Sequence, residues 1–228
     1  MNLHNKTAFI TGSSRGIGQQ IALGLAQKGC NLIIHGRQKE NTQTTLDALK
    51  DFSVKVDVVY GDLADKAETR HLIEQVNKLD VAVDILYNNA AIMRPYRPDY
   101  WSHTPEDWEQ SMRVNVFAVY ELCTAFIPKM LANGFGRVVN LVSGIQDQPE
   151  LSPYSTSKAA LAKLTEDLAV KFDDTNVRIN ALDPGWLQTD LGGEYAEHPV
   201  EAVMPGALQP ALVENNGPNG KTFFALDE

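Results

Sequence analysis

The stretch Thr11-Gly-Ser-Ser-Arg-Gly-Ile-Gly18 decides the fold of this chain of 228 residues. A short apolar run, Thr7–Ile10, precedes it, and a segment with helical spacing, Gln19–Ala26, follows it. A glycine-rich turn between a strand and a helix leaves backbone N–H groups free at the helix N-terminus, where the helix dipole favours negative charge. Glycine permits both the tight turn and the close approach of backbone to phosphate. The stretch therefore predicts a pyrophosphate-binding turn with G-x-x-x-G-x-G spacing.

Apolar, β-branched runs alternate with longer amphipathic segments along the rest of the chain. This alternation is typical of βαβ units, which form a parallel sheet with helices on both faces. The predicted strands are Thr7–Thr11, Asn31–His35, Lys55–Tyr60, Ile85–Asn88, Arg137–Ser143, Arg178–Leu182 and Thr222–Leu226, and the predicted helices are Ile17–Lys28, Asn41–Asp51, Lys66–Leu79, Pro105–Leu131 and Tyr154–Phe172. A stretch rich in proline and glycine near residues 186–212 lacks periodicity, and we expect it to form a mobile substrate lid.

The composition argues against several classes of partner. Apolar residues make up 43% of the chain. The net charge of −9 disfavours binding to nucleic-acid phosphates or to anionic membranes. No apolar run approaches the length of a membrane span, and Met1–Lys6 lacks the apolar core of a signal peptide. Cys30 and Cys123 lack metal-ligand spacing. We therefore expect a cytoplasmic protein with no nucleic-acid, membrane or metal partner.

A tyrosine and a lysine four residues apart form the second chemical signal. Tyr154 and Lys158 would lie on one face of a helix, where an ammonium beside a phenol lowers the phenol pKa and makes it a proton donor near neutral pH. Ser143 follows a buried-type strand, so we expect it at the carboxyl edge of the sheet, with its hydroxyl available to a substrate carbonyl. Each residue taken alone is equally compatible with an ordinary surface or loop position.

Together these motifs resemble the short-chain dehydrogenase/reductase family over essentially the whole chain. The matches run in family order: Thr11-Gly12, Gly16-Ile17-Gly18, Asp62-Leu63, Asn88-Asn89-Ala90, Asn115, Ser143, Tyr154, Lys158, Asn180, Pro184-Gly185 and Thr189. The resemblance implies a single three-layer, doubly wound Rossmann domain over residues 1–228, with a mainly parallel seven-stranded sheet. It also implies that the enzyme transfers hydride between a nicotinamide and a carbonyl or secondary alcohol, and that it forms a homodimer or homotetramer.

The family pattern also implies residue roles. Tyr154 resembles the acid/base, Ser143 the residue that orients the carbonyl, and Asn115 the member that supports a proton path through Lys158. Asn115 is also compatible with a purely structural role inside its helix. The implied cofactor contacts are Gly12, Ser14, Arg15, Gly16, Ile17, Gly18, Arg37, Asp62, Leu63, Asn89, Ala90, Tyr154, Lys158, Pro184, Gly185, Leu187 and Thr189.

The end of the second predicted strand favours NADP(H) over NAD(H). NAD sites place a carboxylate about 20 positions beyond the glycine motif, on the ribose 2′-hydroxyl. Gly36 and Arg37 occupy that place here, and a guanidinium can pair with a 2′-phosphate. Arg15 would add a second positive charge. Both arginines are also compatible with ordinary solvated surface cations.

Three departures from the family pattern concern the pocket. Ala91 replaces a usual glycine, the gap from Ser143 to Tyr154 is short, and the C-terminus lacks the ending common among ketoacyl reductases. The expected substrate walls are Met93–Trp101, residues 144–150, Trp186 and residues 190–210, and Arg94 and Arg97 fit either an acidic substrate or solvated loop charges. Besides a carbonyl reductase, a 3-oxoacyl-thioester (acyl carrier protein) reductase and a non-catalytic NADP-binding regulator remain open.

Overall fold

Seven parallel strands form one sheet in the computed structural model, which describes residues 1–227. They are β1 (Thr7–Ile10), β2 (Asn31–Gly36), β3 (Val56–Tyr60), β4 (Ile85–Asn88), β5 (Gly136–Leu141), β6 (Val177–Asp183) and β7 (Thr222–Phe224). Their order in space is β3-β2-β1-β4-β5-β6-β7, and every neighbouring pair is parallel. The direction of winding reverses between β1 and β4, which opens a crevice at the carboxyl ends of the strands. The predicted seven-stranded Rossmann sheet is confirmed.

In the described part of the chain, six α-helices cover the two faces of the sheet. They are α1 (Gly16–Gln27), α2 (Gln43–Leu49), α3 (Lys66–Lys78), α4 (Pro105–Met112), α5 (Ala118–Ala132) and α6 (Ser152–Lys171). The single helix predicted for Pro105–Leu131 is divided, because a π-helical turn at Arg113–Phe117 separates α4 from α5. Such turns often mark functional sites, since they redirect the side chains that they carry.

Alternate residues of the strands point into two separate cores. On one face, Phe9 packs edge-to-face on Phe126 of α5, with ring centroids 5.7 Å apart. On the other face, Ile10 lies in a cluster with Ile21 and Leu25 of α1. Burial on both faces explains why the strands are almost wholly apolar.

The helical stretch Pro105–Ala132 is long and apolar enough, by length and composition alone, to cross a membrane. In the folded chain 56% of its apolar window is buried inside the protein. Leu122, Phe126 and Met130 belong to the core beside the sheet. We therefore interpret the stretch as a core helix with an apolar buried face.

Only part of the predicted lid is exposed. Residues 200–213 pack against α1 and the sheet, and Val203, Ala207 and Ala211 are fully buried. The Tyr87 hydroxyl donates a hydrogen bond of 2.9 Å to the carbonyl of Ala207. This segment forms two short 3₁₀ helices, whose buried residues hold it against the rest of the protein. Most of residues 186–199 are exposed, whereas most of residues 200–213 are buried or half-buried.

The turn between β1 and α1 is built on an unusually close backbone approach. Gly12 has φ +64°, a left-handed conformation that glycine adopts without strain. A Cβ at Gly18 would lie 2.5 Å from the Gly12 carbonyl oxygen and 2.6 Å from the Asn89 amide nitrogen. Gly18 therefore lets α1 seat directly against the turn.

Replacement of Gly18 by alanine should lower the free energy of unfolding by about 1–3 kcal/mol, because the methyl group meets backbone that cannot move aside. Gly24→Ala is the matched control on the same helix, since its methyl meets the flexible end of Met204. Urea denaturation of both variants measures the effect. Equal losses would contradict the importance of the close approach at Gly18.

Candidate active site

A cleft of about 690 Å³ runs along the carboxyl ends of β1 to β6. The turn after β1 forms one side of it, and Arg37 and Asp62 follow β2 and β3. Tyr154 and Lys158, on the first two turns of α6, line the same cleft. It thus lies at the reversal point of the sheet, where the fold leads us to expect a ligand.

Most of the predicted cofactor residues line this cleft. They are Gly12, Ser14, Arg15, Gly16, Ile17, Arg37, Asp62, Leu63, Asn89, Ala90, Tyr154, Lys158, Pro184 and Thr189. Three others lie outside its lining. Gly18 lies against the backbone of the Gly12 turn, Gly185 packs against Leu226, and Leu187 is buried in the core beside α1. Leu187 also pairs with His198 in a short two-residue ladder.

The N-terminus of α1 is open to an anion. Within residues 1–227, no side chain caps this helix, and its first turn carries no acidic residue. The first N–H groups of a helix need external acceptors, and the dipole favours negative charge there. Ser14, Arg15 and Gly16 line the cleft at the point where α1 begins, so these N–H groups lie next to the cleft. This end of the cleft therefore fits the phosphates of a dinucleotide.

A buried histidine, which the sequence analysis overlooked, holds the glycine turn in place. The Gly12 N–H donates to Nδ1 of His35 at 3.0 Å, and Nε2 of the same ring lies 2.9 Å from the Gly61 carbonyl oxygen. Since Nδ1 accepts a hydrogen bond, Nε2 must carry the proton, and the ring is neutral. Burial lowers the pKa of His35 to about 4. The signal in the sequence was a lone histidine inside the apolar strand Asn31–Gly36.

The segment after β4 is tied to the same turn. The amide of Asn89 donates to the carbonyls of Thr11 and Gly12 at 2.8 and 3.1 Å. The Thr11 hydroxyl accepts from the N–H groups of Asn89 and Ala90, each at 3.0 Å. Ala91 is not among the residues with positive φ, so its methyl group causes no backbone strain. This departure from the family pattern leaves the cleft intact.

Tyr154 and Lys158 line the other end of the cleft, and Ser143 lies near Tyr154 outside the lining residues, but the electrostatics of Tyr154 differ from the prediction. Burial raises the pKa of Tyr154 to about 12, although the nearby Ser143 hydroxyl opposes the shift. Lys158 does not bond to the phenol. Its ammonium donates to the Leu141 carbonyl at 2.6 Å and lies 5.8 Å from the centre of the Tyr154 ring. The predicted lowering of the tyrosine pKa by Lys158 is therefore wrong for this arrangement.

Asp183, at the end of β6, is a further ionisable group near this cluster. Its carboxylate accepts from the Gly185 N–H at 3.0 Å. Its charge raises the pKa of Tyr154 and also that of Lys158, while burial lowers the lysine pKa to about 8. The sequence signal was an aspartate at the carboxyl edge of the sheet, directly before Pro184. Asp183 helps to keep the phenol protonated.

Asn115 lies in the π-helical turn and is fully buried. Its side-chain oxygen accepts from the Ile92 N–H at 2.9 Å, and its amide group donates to the Ile92 carbonyl and to the Ser157 hydroxyl, also at 2.9 Å. The side chain is thus fully used in joining the segment after β4 to α6. The structural role considered for this residue is present.

The two arginines of the predicted phosphate site differ in their partners. Arg15 forms an ion pair of 2.5 Å with Asp190, across the cleft from the turn. Arg37 is exposed, lines the cleft and has no carboxylate within salt-bridge distance among residues 1–227. Asp62 accepts from the Ala64 N–H at 2.9 Å, which shapes the turn after β3. A negative group entering this end of the cleft would thus meet Arg37 first.

Comparison with known proteins identifies close relatives. The family profile described as short chain dehydrogenase matches residues 6–215. The uncharacterised oxidoreductase YvrD of Bacillus subtilis is 34% identical over 205 residues, which cover 89% of this chain and 76% of the relative.

Two solved structures extend the likeness. A 3-oxoacyl (acyl-carrier-protein) reductase from Agrobacterium tumefaciens C58, with NADP bound, has a TM-score of 0.85 and 30% identity, covering 98% of this chain and 93% of that one. A gluconate 5-dehydrogenase from Burkholderia cenocepacia, in complex with NADP and tartrate, has a TM-score of 0.84 and 29% identity, covering 98% and 94%.

The neutral state of His35 makes stability depend on pH. The unfolded chain takes up this proton near the ordinary imidazole value of 6.5, and the folded chain only near 4. The contribution of the neutral ring is therefore complete above about pH 6.5 and decreases as the pH falls towards 4, by up to on the order of 3 kcal/mol. In urea titrations between about pH 6.5 and pH 4, the free energy of unfolding of His35→Gln should decrease less with falling pH than that of the wild type. His71→Gln, at an exposed histidine, should leave it unchanged, and a wild-type slope in His35→Gln would refute the assignment.

Proposed function

Since the chain belongs to the short-chain dehydrogenase/reductase family, we propose that it is an NADP(H)-dependent enzyme that reduces a carbonyl group to an alcohol. Membership makes it a nicotinamide-dependent oxidoreductase. The main support for NADP(H) and for carbonyl reduction is that a single cleft holds groups suited to a phosphate at one end and a proton donor at the other. An open helix N-terminus and Arg37 lie at one end, and Tyr154 with Lys158 lies at the other.

The residues of the cleft fit a dinucleotide phosphate. The left-handed glycines Gly12 and Gly16 leave room for close approach, and no carboxylate stands at the end of β2 to repel a 2′-phosphate. Arg37 would pair with that phosphate, and Arg15 would do so only by leaving Asp190. The NADP-bound relatives support the same choice of cofactor.

The reaction chemistry divides between cofactor and protein. A bound nicotinamide supplies the hydride. Ser143 and Tyr154 would hold the substrate carbonyl oxygen by hydrogen bonds, which stabilise the charge that develops on it. Tyr154 then gives its proton to that oxygen. Lys158, fixed on the Leu141 carbonyl, would keep a positive charge beside the reacting groups.

The buried phenol fits the role of proton donor in carbonyl reduction. With a pKa of about 12, Tyr154 carries its proton at neutral pH. An alkoxide is a stronger base than a phenolate, so proton transfer from the phenol to the developing alkoxide is favourable. The reverse reaction needs a phenolate, which burial and Asp183 both disfavour.

A 3-oxoacyl-thioester reductase remains the second candidate, because the Agrobacterium relative carries that activity in its name. The same cleft and the same proton donor would serve both reactions. Rates on acetoacetyl thioesters, compared with rates on simple ketones and sugars, distinguish the two candidates. Faster thioester reduction would favour the second.

Replacement of Tyr154 by phenylalanine should reduce kcat for any carbonyl substrate by about 10²–10⁴-fold, since it removes the proton donor. Binding of NADPH, followed by its fluorescence, should remain within about twofold, because the ring stays in place. Tyr120→Phe, at an exposed tyrosine on α5, is the control and should keep full activity. Undiminished turnover in Tyr154→Phe would overturn the proposed mechanism.

Replacement of Arg37 by aspartate should lower kcat/KM for NADPH about 10–100-fold, through loss of the charge-assisted bonds to the 2′-phosphate. The value for NADH should stay level or rise, because a carboxylate can bind the ribose hydroxyl. Arg70→Asp makes the same change of charge on an exposed face of α3, outside the cleft. Parallel losses with both cofactors would argue against a 2′-phosphate contact.

A further inference from the structure

A buried carboxylate organises two arginines beside the substrate end of the cleft. The side chain of Asp107, on the first turn of α4, is 1% exposed. One of its oxygens accepts from Nε of Arg94 at 2.8 Å, and the other accepts from Nε of Arg97 at 2.9 Å. The Arg94 guanidinium is the main reason that the pKa of this carboxyl lies well below its usual range. Asp107 is therefore a permanent anchor for both cations.

The two arginines are not freely solvated loop charges. Their side chains are 35% and 30% exposed, and each is held through Nε alone. Among residues 1–227, the outer Nη groups of Arg94 and Arg97 have no hydrogen-bond partner. A guanidinium fixed at Nε presents its remaining N–H donors in a rigid plane, which matches the oxygens of a carboxylate or phosphate.

The position of the pair relates it to the reacting groups. Arg94 lines the same cleft as Tyr154 and Lys158. The backbone N–H of Arg97 donates to the carbonyl of Glu150 at 3.3 Å, on the segment between Ser143 and α6. Arg94 thus faces the cleft on the side of Tyr154 and Lys158, and Arg97 lies beside Arg94 on the shared carboxylate of Asp107.

The cluster of Asp107, Arg94 and Arg97 carries a net positive charge. Two guanidinium groups share one carboxylate, so one positive charge lacks a partner within the cluster. A single arginine would suffice to neutralise the charge of Asp107. The surplus charge, in a chain of net charge −9, calls for an anionic ligand.

We propose that Arg94 and Arg97, anchored on Asp107, bind an oxyanion group of the carbonyl substrate, either a carboxylate or a phosphate. The proposal rests on the proposed function, since it places the substrate carbonyl in the same cleft. It restricts the substrate to acidic carbonyl compounds, such as oxo acids or phosphorylated ketoses. A neutral ketone would lack the contact that fixes its orientation.

The first test compares matched substrates with NADPH. An oxo acid should have a kcat/KM about 10–100-fold above that of its methyl ester, as charge-assisted hydrogen bonds of this kind predict. A ketose phosphate compared with the free ketose tests the other oxyanion. Equal rates within both pairs, or faster reduction of the neutral members, would overturn the proposal.

Substitutions assign the effect to the arginines. Arg94→Gln should lower kcat/KM for the oxo acid to about the value for the methyl ester, mainly through KM, and its circular dichroism spectrum should match that of the wild type, which shows that the variant is folded. Arg94→Lys should restore part of the preference, because it keeps the charge without the planar donors. Lys171→Gln, at an exposed position on α6, should change neither rate. An equal loss on both substrates in Arg94→Gln would point to a structural role only.

A binding measurement separates this proposal from the proposed function. Calorimetry with the NADP⁺-loaded protein should detect succinate but not succinamide, and Arg94→Gln should weaken succinate binding about tenfold or more. Arginine-dependent binding without turnover of any carbonyl would uphold the anion site and contradict the reductase function. Turnover of neutral carbonyls without succinate binding would uphold the reductase function and contradict the anion site.

Discussion

The site depends on one neutral imidazole beneath a glycine turn. His35 accepts the Gly12 N–H and bonds to the Gly61 carbonyl, so it joins the ends of β1, β2 and β3 at the floor of the cleft. The absence of a side chain at Gly18 lets α1 approach the same turn from the other side. Together these contacts fix the direction of the N–H groups at the start of α1, where the phosphates of the proposed cofactor would bind. A protonated imidazole could not accept from Gly12, and the turn would lose its support.

Burial dominates the electrostatics at the opposite end of the cleft. The phenol of Tyr154 and the ammonium of Lys158 are both removed from water, and each is shifted towards its neutral form. Asp183 raises the pKa of both groups, so it keeps the proton on the phenol and partly offsets the shift of the lysine. The result is a protonated donor at neutral pH, held close to Ser143, as a carbonyl reductase requires.

The sequence predicted those features that follow from local pattern. The strand, glycine turn and first helix could be placed because the motif requires specific backbone geometry, and apolar runs identified all seven strands. Tyr154 and Lys158 were found because their spacing puts them on one helical face.

The failures all concern tertiary packing. Leu187 and residues 200–213 look like parts of a loop, but the core beside α1 buries them. The π-helical turn at Asn115 does not visibly change the hydrophobic periodicity of the sequence. His35 and Asp107 become informative only when chain folding brings Gly12, Arg94 and Arg97 beside them. Their pairings are distant in sequence or depend on side-chain direction, which composition and spacing do not encode.

The most direct test is oxidation of NADPH by the purified protein in the presence of a panel of ketones, aldehydes, quinones, sugars and oxo acids. We expect turnover of at least one carbonyl compound, fastest among the acidic members, and slower turnover when NADH replaces NADPH. Loss of absorbance at the reduced nicotinamide band reports the rate. No turnover with any member, or equal or faster turnover with NADH, would contradict an NADP(H)-dependent carbonyl reductase.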